Sequence, residues 1–167
     1  IDSLIAVASG LIITGYSEDH EKLKRSYLDR ARKINNEYMK KESIYEYLYI
    51  NKKFIDQDIY DLNIEQAEKS LNSSLIKIEN LTIDDYPYDY GFEEQKKDLE
   101  VNYLESLGSI FIQTKRYKEA ISVYEKIINS SIKILSDGYE TNLKITDQNN
   151  LEAFRYKNAH LRLFSIY

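Results

Sequence analysis

The sequence predicts an all-α protein built from helical hairpins, on three observations. The 167-residue chain contains one proline and five glycines, so residues that interrupt helices are rare. Apolar residues recur at intervals of three and four, which is the period of one helix face. Short polar breaks separate these stripes. With 43% hydrophobic residues, the chain can also bury a core.

The first four helices are predicted from their starts and their apolar stripes. Residues 2–15 are apolar and form the first helix. Ser17 is a suitable N-cap for the second helix, because its hydroxyl can accept a bond from a free backbone N–H. Ser43 caps the third helix in the same way. Asn63 with Gln66 approximates a capping box at the start of the fourth helix.

The second half of the chain begins with an acidic and aromatic loop over Asp84 to Glu94, which is interrupted by Pro87 and Gly91. Three further helices are expected: from about Lys97 to Thr114, from Tyr117 to a C-terminal glycine at Gly138, and from Asn150 onward. We expect a single repeat domain over residues 1–167. Since both ends lie inside apolar patterns, we also expect it to be a fragment of a longer chain.

Several functions are disfavoured by the composition. The chain has no cysteine, so it offers no thiol nucleophile, and this is typical of a cytoplasmic protein. Its net charge of −5 argues against direct nucleic-acid contact from this segment. Leu4–Ile13 is too short to span a membrane. His20 and His160 lack any catalytic motif, and the acidic loop lacks the calcium-loop pattern. We therefore expect no enzyme activity, no cofactor and no metal.

One segment carries a family pattern. Leu104-x2-Leu107-Gly108-x2-Phe111, followed by Ala120-x3-Tyr124, resembles the tetratricopeptide (TPR) repeat. In that pattern Gly108 and Ala120 are small because two helices touch there, and Leu107, Phe111 and Tyr124 fill the surrounding space. The resemblance implies a right-handed superhelix of about three and a half αα-hairpins.

Weaker copies of the pattern flank this repeat. Tyr47-x2-Ile50-Asn51-x2-Phe54 followed by Ala67-x3-Leu71 resembles an earlier repeat with four extra residues, and His160-x2-Leu163-Phe164-x2-Tyr167 resembles a later first helix. Treating Gly10, Asn51, Gly108 and Phe164 as equivalent gives separations of 41, 57 and 56 residues. The usual period is about 34, so we expect longer helices or loops than in a plain TPR.

Long, irregular repeats in a chain rich in Lys, Ile and Asn resemble the sensor domains of Gram-positive peptide-pheromone receptors, which act in quorum sensing and transcription regulation. That resemblance implies a groove in which asparagine amides hold a peptide backbone. Asn102 and Asn158 occupy the same position in the first helices of two successive hairpins, two residues before Leu104 and His160 respectively. The other residues that this geometry assigns to the groove are Glu105, Ser109, Gln113, Tyr45, Tyr49 and Lys52. The alternative is that Asn102 and Asn158 are solvated asparagines and that the other residues are ordinary surface, which is the commoner case for any one such residue alone.

Two functions remain open from the sequence. The first is a module that binds a short peptide or a partner protein, as the ligand-sensing domain of a bacterial transcriptional regulator. The alternative is a structural scaffold that mediates protein assembly, including a possible homodimer, without a small peptide ligand.

Overall fold

The computed structural model describes residues 18–86, 91–140 and 147–166. Every regular element in these ranges is helical, so the predicted all-α class is confirmed for them. The predicted helix over residues 2–15 and the Ser17 cap lie outside the described residues, as does the centre of the acidic loop. Contacts between Cα atoms divide the chain into two compact units, Ile1–Leu99 and Glu100–Tyr167.

In the described part of the first unit, three long helices precede helix α5. Helix α1 spans Glu18–Ile34 and continues through a π-helix, Asn35–Met39, into the short helix α2, Lys40–Glu42. Helices α3, Ile44–Tyr60, and α4, Ile64–Glu79, then form a hairpin. Helix α1 packs onto α3, and the buried contact consists of Leu28, Ala31, Ile50 and Phe54.

The predicted cap of α3 is confirmed, whereas that of α4 is wrong. The Ser43 hydroxyl accepts a bond from the Glu46 backbone N–H at 3.2 Å. The Asn63 side chain makes no capping bond. Its backbone carbonyl instead accepts from the Ala67 N–H at 3.0 Å, and the Gln66 amide turns to Ser70. The tight turn before α4 sets the backbone of Asn63, and so its amide does not reach the free N–H groups.

Helix α5 spans Phe92–Gln113, and it begins about a turn earlier than predicted. Its first residues were expected to belong to the loop, but Gly91 takes a positive φ of 77° and the helix starts directly after it. The early start is stabilised by long-range contacts. The Lys96 ammonium donates to the Glu79 and Leu81 carbonyls at 3.1 and 2.8 Å, and so it satisfies carbonyls at the end of α4.

The second unit contains the rest of α5, helix α6 over Tyr117–Glu140, and helix α7 over Asp147–Phe164. The prediction that α6 ends at Gly138 is wrong, because the helix continues to Glu140. Helix α7 packs against α6 and buries Ala159 and Arg155.

The hairpins α3–α4 and α5–α6 close with the same turn. In the first, the Asn63 N–H donates to the Asp58 carbonyl at 2.8 Å, and in the second the Arg116 N–H donates to the Phe111 carbonyl at 2.7 Å. The residue before each donor, Leu62 or Lys115, has a φ of 61°. This is the Schellman arrangement, which satisfies carbonyls at a helix end.

These turns lie 53 residues apart, and they correct the predicted repeat register. Ala67 and Ala120 occupy the same position after the turn, and both are fully buried. With this register, Ile55 corresponds to Gly108, so the equivalence of Asn51 with Gly108 is wrong and no residues are inserted. The sequence pattern missed this because Ile55 is large where the family pattern has glycine.

Candidate functional site

A polar cavity of about 270 Å³ lies in the first unit, between α1, the π-helix, α3 and α4. Its walls combine side-chain amides, hydroxyls and charges with a few apolar groups. The amides belong to Asn35, Asn36, Asn51 and Gln66, the hydroxyls to Ser70, Ser73, Ser74 and Tyr47, and the charges to Arg32, Asp58, Lys69 and Lys77. Phe54 and Ile55 complete the lining.

The π-helix places Asn35 against this cavity. Asn35 is only 1% exposed, and its amide nitrogen donates to the Tyr47 carbonyl at 3.3 Å. Its carbonyl oxygen is buried and accepts no hydrogen bond from the residues that the structure describes. An unsatisfied buried acceptor costs about 1–3 kcal/mol, so this arrangement is unfavourable for stability alone. Single π-helical turns often occur at functional sites.

Three polar lining residues occupy positions at which the other hairpin has a buried apolar residue. Each has a counterpart 53 residues later, at the same place relative to the turn. The polar residues are Asn51, Asp58 and Ser74, and their counterparts are Leu104, Phe111 and Ile127, all of which are buried. The reverse holds at one buried position, where the apolar Ile78 of α4 corresponds to the polar Ser131 of α6. The α3–α4 hairpin thus carries polar groups at three sites where the same backbone can bury apolar side chains.

These polar groups bond mainly to one another and to α1. The Asn51 amide donates to the Ser74 hydroxyl at 3.2 Å. The Arg32 guanidinium pairs with the Asp58 carboxylate at 2.5 Å and donates to the Phe54 carbonyl at 3.2 Å. It also lies over the Phe54 ring, 5.4 Å from the centroid. The Arg32 Nε has no acceptor among the described residues. Hydrogen bonds therefore hold most polar groups of the cavity wall in place, but some of its donors and acceptors have no partner among the described residues.

Lys77 stands at the Tyr47 end of the cavity, with its Nζ 5.7 Å from the centre of the Tyr47 ring. Burial lowers the pKa of Lys77, and the charge of Lys40 lowers it further. Burial also raises the pKa of the Tyr47 hydroxyl. Both shifts have the same cause, since a partly dry environment disfavours the charged form of each group.

The groove residues predicted from the sequence lie outside this cavity. On α5, Asn102 and Gln113 are exposed and Glu105 and Ser109 are half-buried, and the Ser109 side chain partly offsets the rise that burial causes in the pKa of Tyr124. Asn158 is half-buried on α7, and no hydrogen bond between described residues joins it to Asn102.

The three predicted residues on α3 have local partners. Tyr45 is buried, with its hydroxyl 3.1 Å from the Gln95 side-chain oxygen and its ring edge-on to Tyr86. Tyr49 is exposed, and Lys52 pairs with Asp56 at 2.6 Å one turn along the helix. None of the three lines the cavity.

The six residues predicted to pack the α5–α6 hairpin are all buried: Leu104, Leu107, Gly108, Phe111, Ala120 and Tyr124. The contact at Gly108 is especially close, since an added Cβ would lie 2.7 Å from the Tyr124 Cζ.

The cavity could have been found from one signal in the sequence. Serine and lysine recur on α4 at Ser70, Ser73, Ser74 and Lys77, which is the spacing of one helix face. The prediction of α4 rested on its start and its apolar stripe and took no account of this polar face. The contributions of Arg32 and Asn35 have no such signal, because they depend on how α1 and the π-helix pack against α3.

No group of three metal-ligating side chains occurs among the residues that the structure describes. Over the same residues, none of the helices combines the length and apolar character needed to cross a bilayer. Comparisons with protein-family models, with curated proteins and with solved structures give no match for this chain.

Proposed function

We propose that this protein is a TPR-like helical-repeat module that binds a short peptide, and that the polar cavity of the first unit holds part of this ligand. One observation carries the proposal: Asn51, Asp58 and Ser74 are polar at positions where the second hairpin buries Leu104, Phe111 and Ile127. An apolar side chain at such a position avoids the cost of removing a polar group from water, so the choice of polar residues around a cavity favours a role in binding.

The chemistry of the cavity suits a peptide. Side-chain amides offer both a donor and an acceptor, as does each peptide group of a ligand. Asn36 and Gln66 are exposed on the cavity wall, and Asn51 is half-buried, so three amides are within reach of an entering chain. A volume of about 270 Å³ accommodates one or two residues of such a ligand rather than a large cofactor.

Separate observations support the proposal that the module consists of helical repeats. Two hairpins share one turn geometry and one buried alanine, and the second also carries the TPR-like pattern around Gly108. We further propose that the module is the ligand-sensing part of a bacterial transcriptional regulator, which rests on the resemblance of the sequence to pheromone-receptor sensors.

The test is to give the first hairpin the residues of the second. Asn51→Leu with Ser74→Ile removes both partners of one hydrogen bond together, so the fold should be retained or stabilised. A degenerate mixture of short peptides should raise the melting temperature of the unmodified protein and not that of the double variant.

Asn102→Ala is the control, because Asn102 is exposed on α5 and does not line the cavity. If this control loses the peptide effect while the double variant keeps it, the ligand binds at the face predicted from the sequence. If no peptide stabilises any of the three proteins, the proposal of peptide binding is wrong.

A scaffold function is the second candidate, and helix α7 favours it. Phe154, Leu161 and Phe164 are all strongly exposed and are spaced along one helix face, with Phe164 at 85%. Exposed apolar rows of this kind often mark protein contacts. Sedimentation of the wild type and a Phe154→Ser, Leu161→Ser variant would test this, since only the wild type should self-associate or bind a partner.

A further inference from the structure

The cavity has more positive than negative charge on its walls. Of the described residues that line it, three carry a positive charge and one, Asp58, carries a carboxylate. Asp58 already pairs with Arg32. Eleven residues of helix separate Asp58 from Tyr47, which is about 16 Å along the axis. Lys77 lies beside Tyr47, and so Asp58 cannot neutralise it.

The described residues that contact the Lys77 ammonium are neutral. Its ammonium donates to the Ser73 hydroxyl at 3.3 Å, and in the described parts of the chain no carboxylate pairs with it. The side chain is half-buried, and burial together with the charge of Lys40 lowers its pKa. A half-buried cation with a second cation nearby is unfavourable until an anion approaches.

We propose that the Lys77 end of the cavity binds an anionic oxygen group of the peptide ligand, either a carboxylate or a phosphate. This proposal deepens the proposed function and rests on it. The anion accepts a bond from the Lys77 ammonium and a second bond from the Ser73 hydroxyl, which rotates to donate. Lys40 is exposed, and its charge, which acts on Lys77, adds longer-range attraction. Charge-assisted bonds of this kind are the stronger class of hydrogen bond.

The experiment uses phosphate and acetate as probes at constant ionic strength. Each anion is titrated into isotopically labelled protein, and the side-chain amide signals of Asn35 and Asn51 report on the cavity. We expect saturable shifts with at least one anion. Lys77→Met, which keeps the apolar stem of the side chain, should raise the Kd by about tenfold or more, as the loss of a charged hydrogen bond implies.

Lys118→Met is the matched control, because Lys118 is exposed on α6 in the second unit. It should leave both titrations unchanged. Saturation by phosphate alone identifies a phosphorylated ligand, and saturation by acetate identifies an acidic residue or a terminal carboxylate.

The proposal is overturned if neither anion gives a saturable shift, or if Lys77→Met and Lys118→Met weaken binding equally. Failure of this inference can be distinguished from failure of the proposed function. If the peptide mixture still stabilises Lys77→Met as much as the wild type, and both anions are inert, the cavity binds peptide without an anion site. If the peptide effect is absent in every protein, the proposed function itself is wrong.

Discussion

The contact between Gly108 and Tyr124 gives a sharp test of the α5–α6 packing. An added Cβ at position 108 would lie 2.7, 2.9 and 3.0 Å from three atoms of the Tyr124 ring and hydroxyl. The ring is 2% exposed and has little room to move. Overpacking of this kind costs about 1–3 kcal/mol, whereas alanine gains about 1 kcal/mol over glycine in a helix. We therefore expect Gly108→Ala to lower the free energy of unfolding by about 1 kcal/mol.

The sign should reverse when the ring is removed. In the α3–α4 hairpin the corresponding residues are Ile55 and Leu71, both buried, so a side chain at the first position is compatible with leucine at the second. In a Tyr124→Leu background, Gly108→Ala should therefore stabilise the protein by about 1 kcal/mol through helix propensity. The double-mutant cycle should give a coupling energy of about 1–3 kcal/mol.

Urea unfolding followed by circular dichroism measures all four proteins of this cycle. If the free energy of unfolding falls with urea concentration at the same slope in all four proteins, they unfold in the same way. If Gly108→Ala stabilises the protein equally in both backgrounds, the ring does not contact position 108. The reasoning on the helix crossing would then be refuted.

Two further predictions concern the turns and the alkaline pH range. Leu62→Gly and Lys115→Gly should each stabilise the protein by about 0.5–1 kcal/mol in urea unfolding, because both residues have a φ of 61°. Asp61→Gly, at a φ of −79°, should not stabilise it, and a loss in all three variants would contradict the turn geometry. Burial raises the pKa of Tyr124 above its ordinary value of 10.0. Above pH 10 the unfolded state loses this proton while the folded state keeps it. The contribution of Tyr124 to the free energy of unfolding is therefore full below the unfolded pKa and is lost as pH rises through the folded pKa. Melting temperatures measured above pH 10 should fall less steeply for Tyr124→Phe than for the wild type, and an equal fall would contradict this assignment.

The helical nature of the chain was predictable because the signals are local. Apolar periodicity identifies a helix without reference to the rest of the fold, and a serine hydroxyl such as that of Ser43 reaches an N–H three residues away. The errors occurred where a local pattern competes with distant contacts. Asn63 has the identity of a cap, but the turn before it fixes its backbone. Gly138 has the identity of a helix end, but α6 continues past it.

The candidate site was less predictable, since its parts come from separate helices. The sequence assigned binding to residues of α3, α5 and α7 by resemblance, and that assignment stays a prediction. The polar cavity instead joins Arg32 and Asn35 to α3 and α4 across distances of tens of residues. No spacing rule relates residues so far apart, because their proximity depends on the packing of α1 and the path of the π-helix.

By itself, the sequence determined the class of fold, the cap at Ser43 and the small residue at Gly108, because each follows from interactions within a turn or two of helix. Only the tertiary structure decided the 53-residue register, since that is set by two Schellman turns and by which side chains are buried after them. The register in turn showed that Asn51, Asp58 and Ser74 stand at core positions. A polar residue is unremarkable in a sequence, and it becomes informative only when the fold shows that an apolar residue fits in the same place.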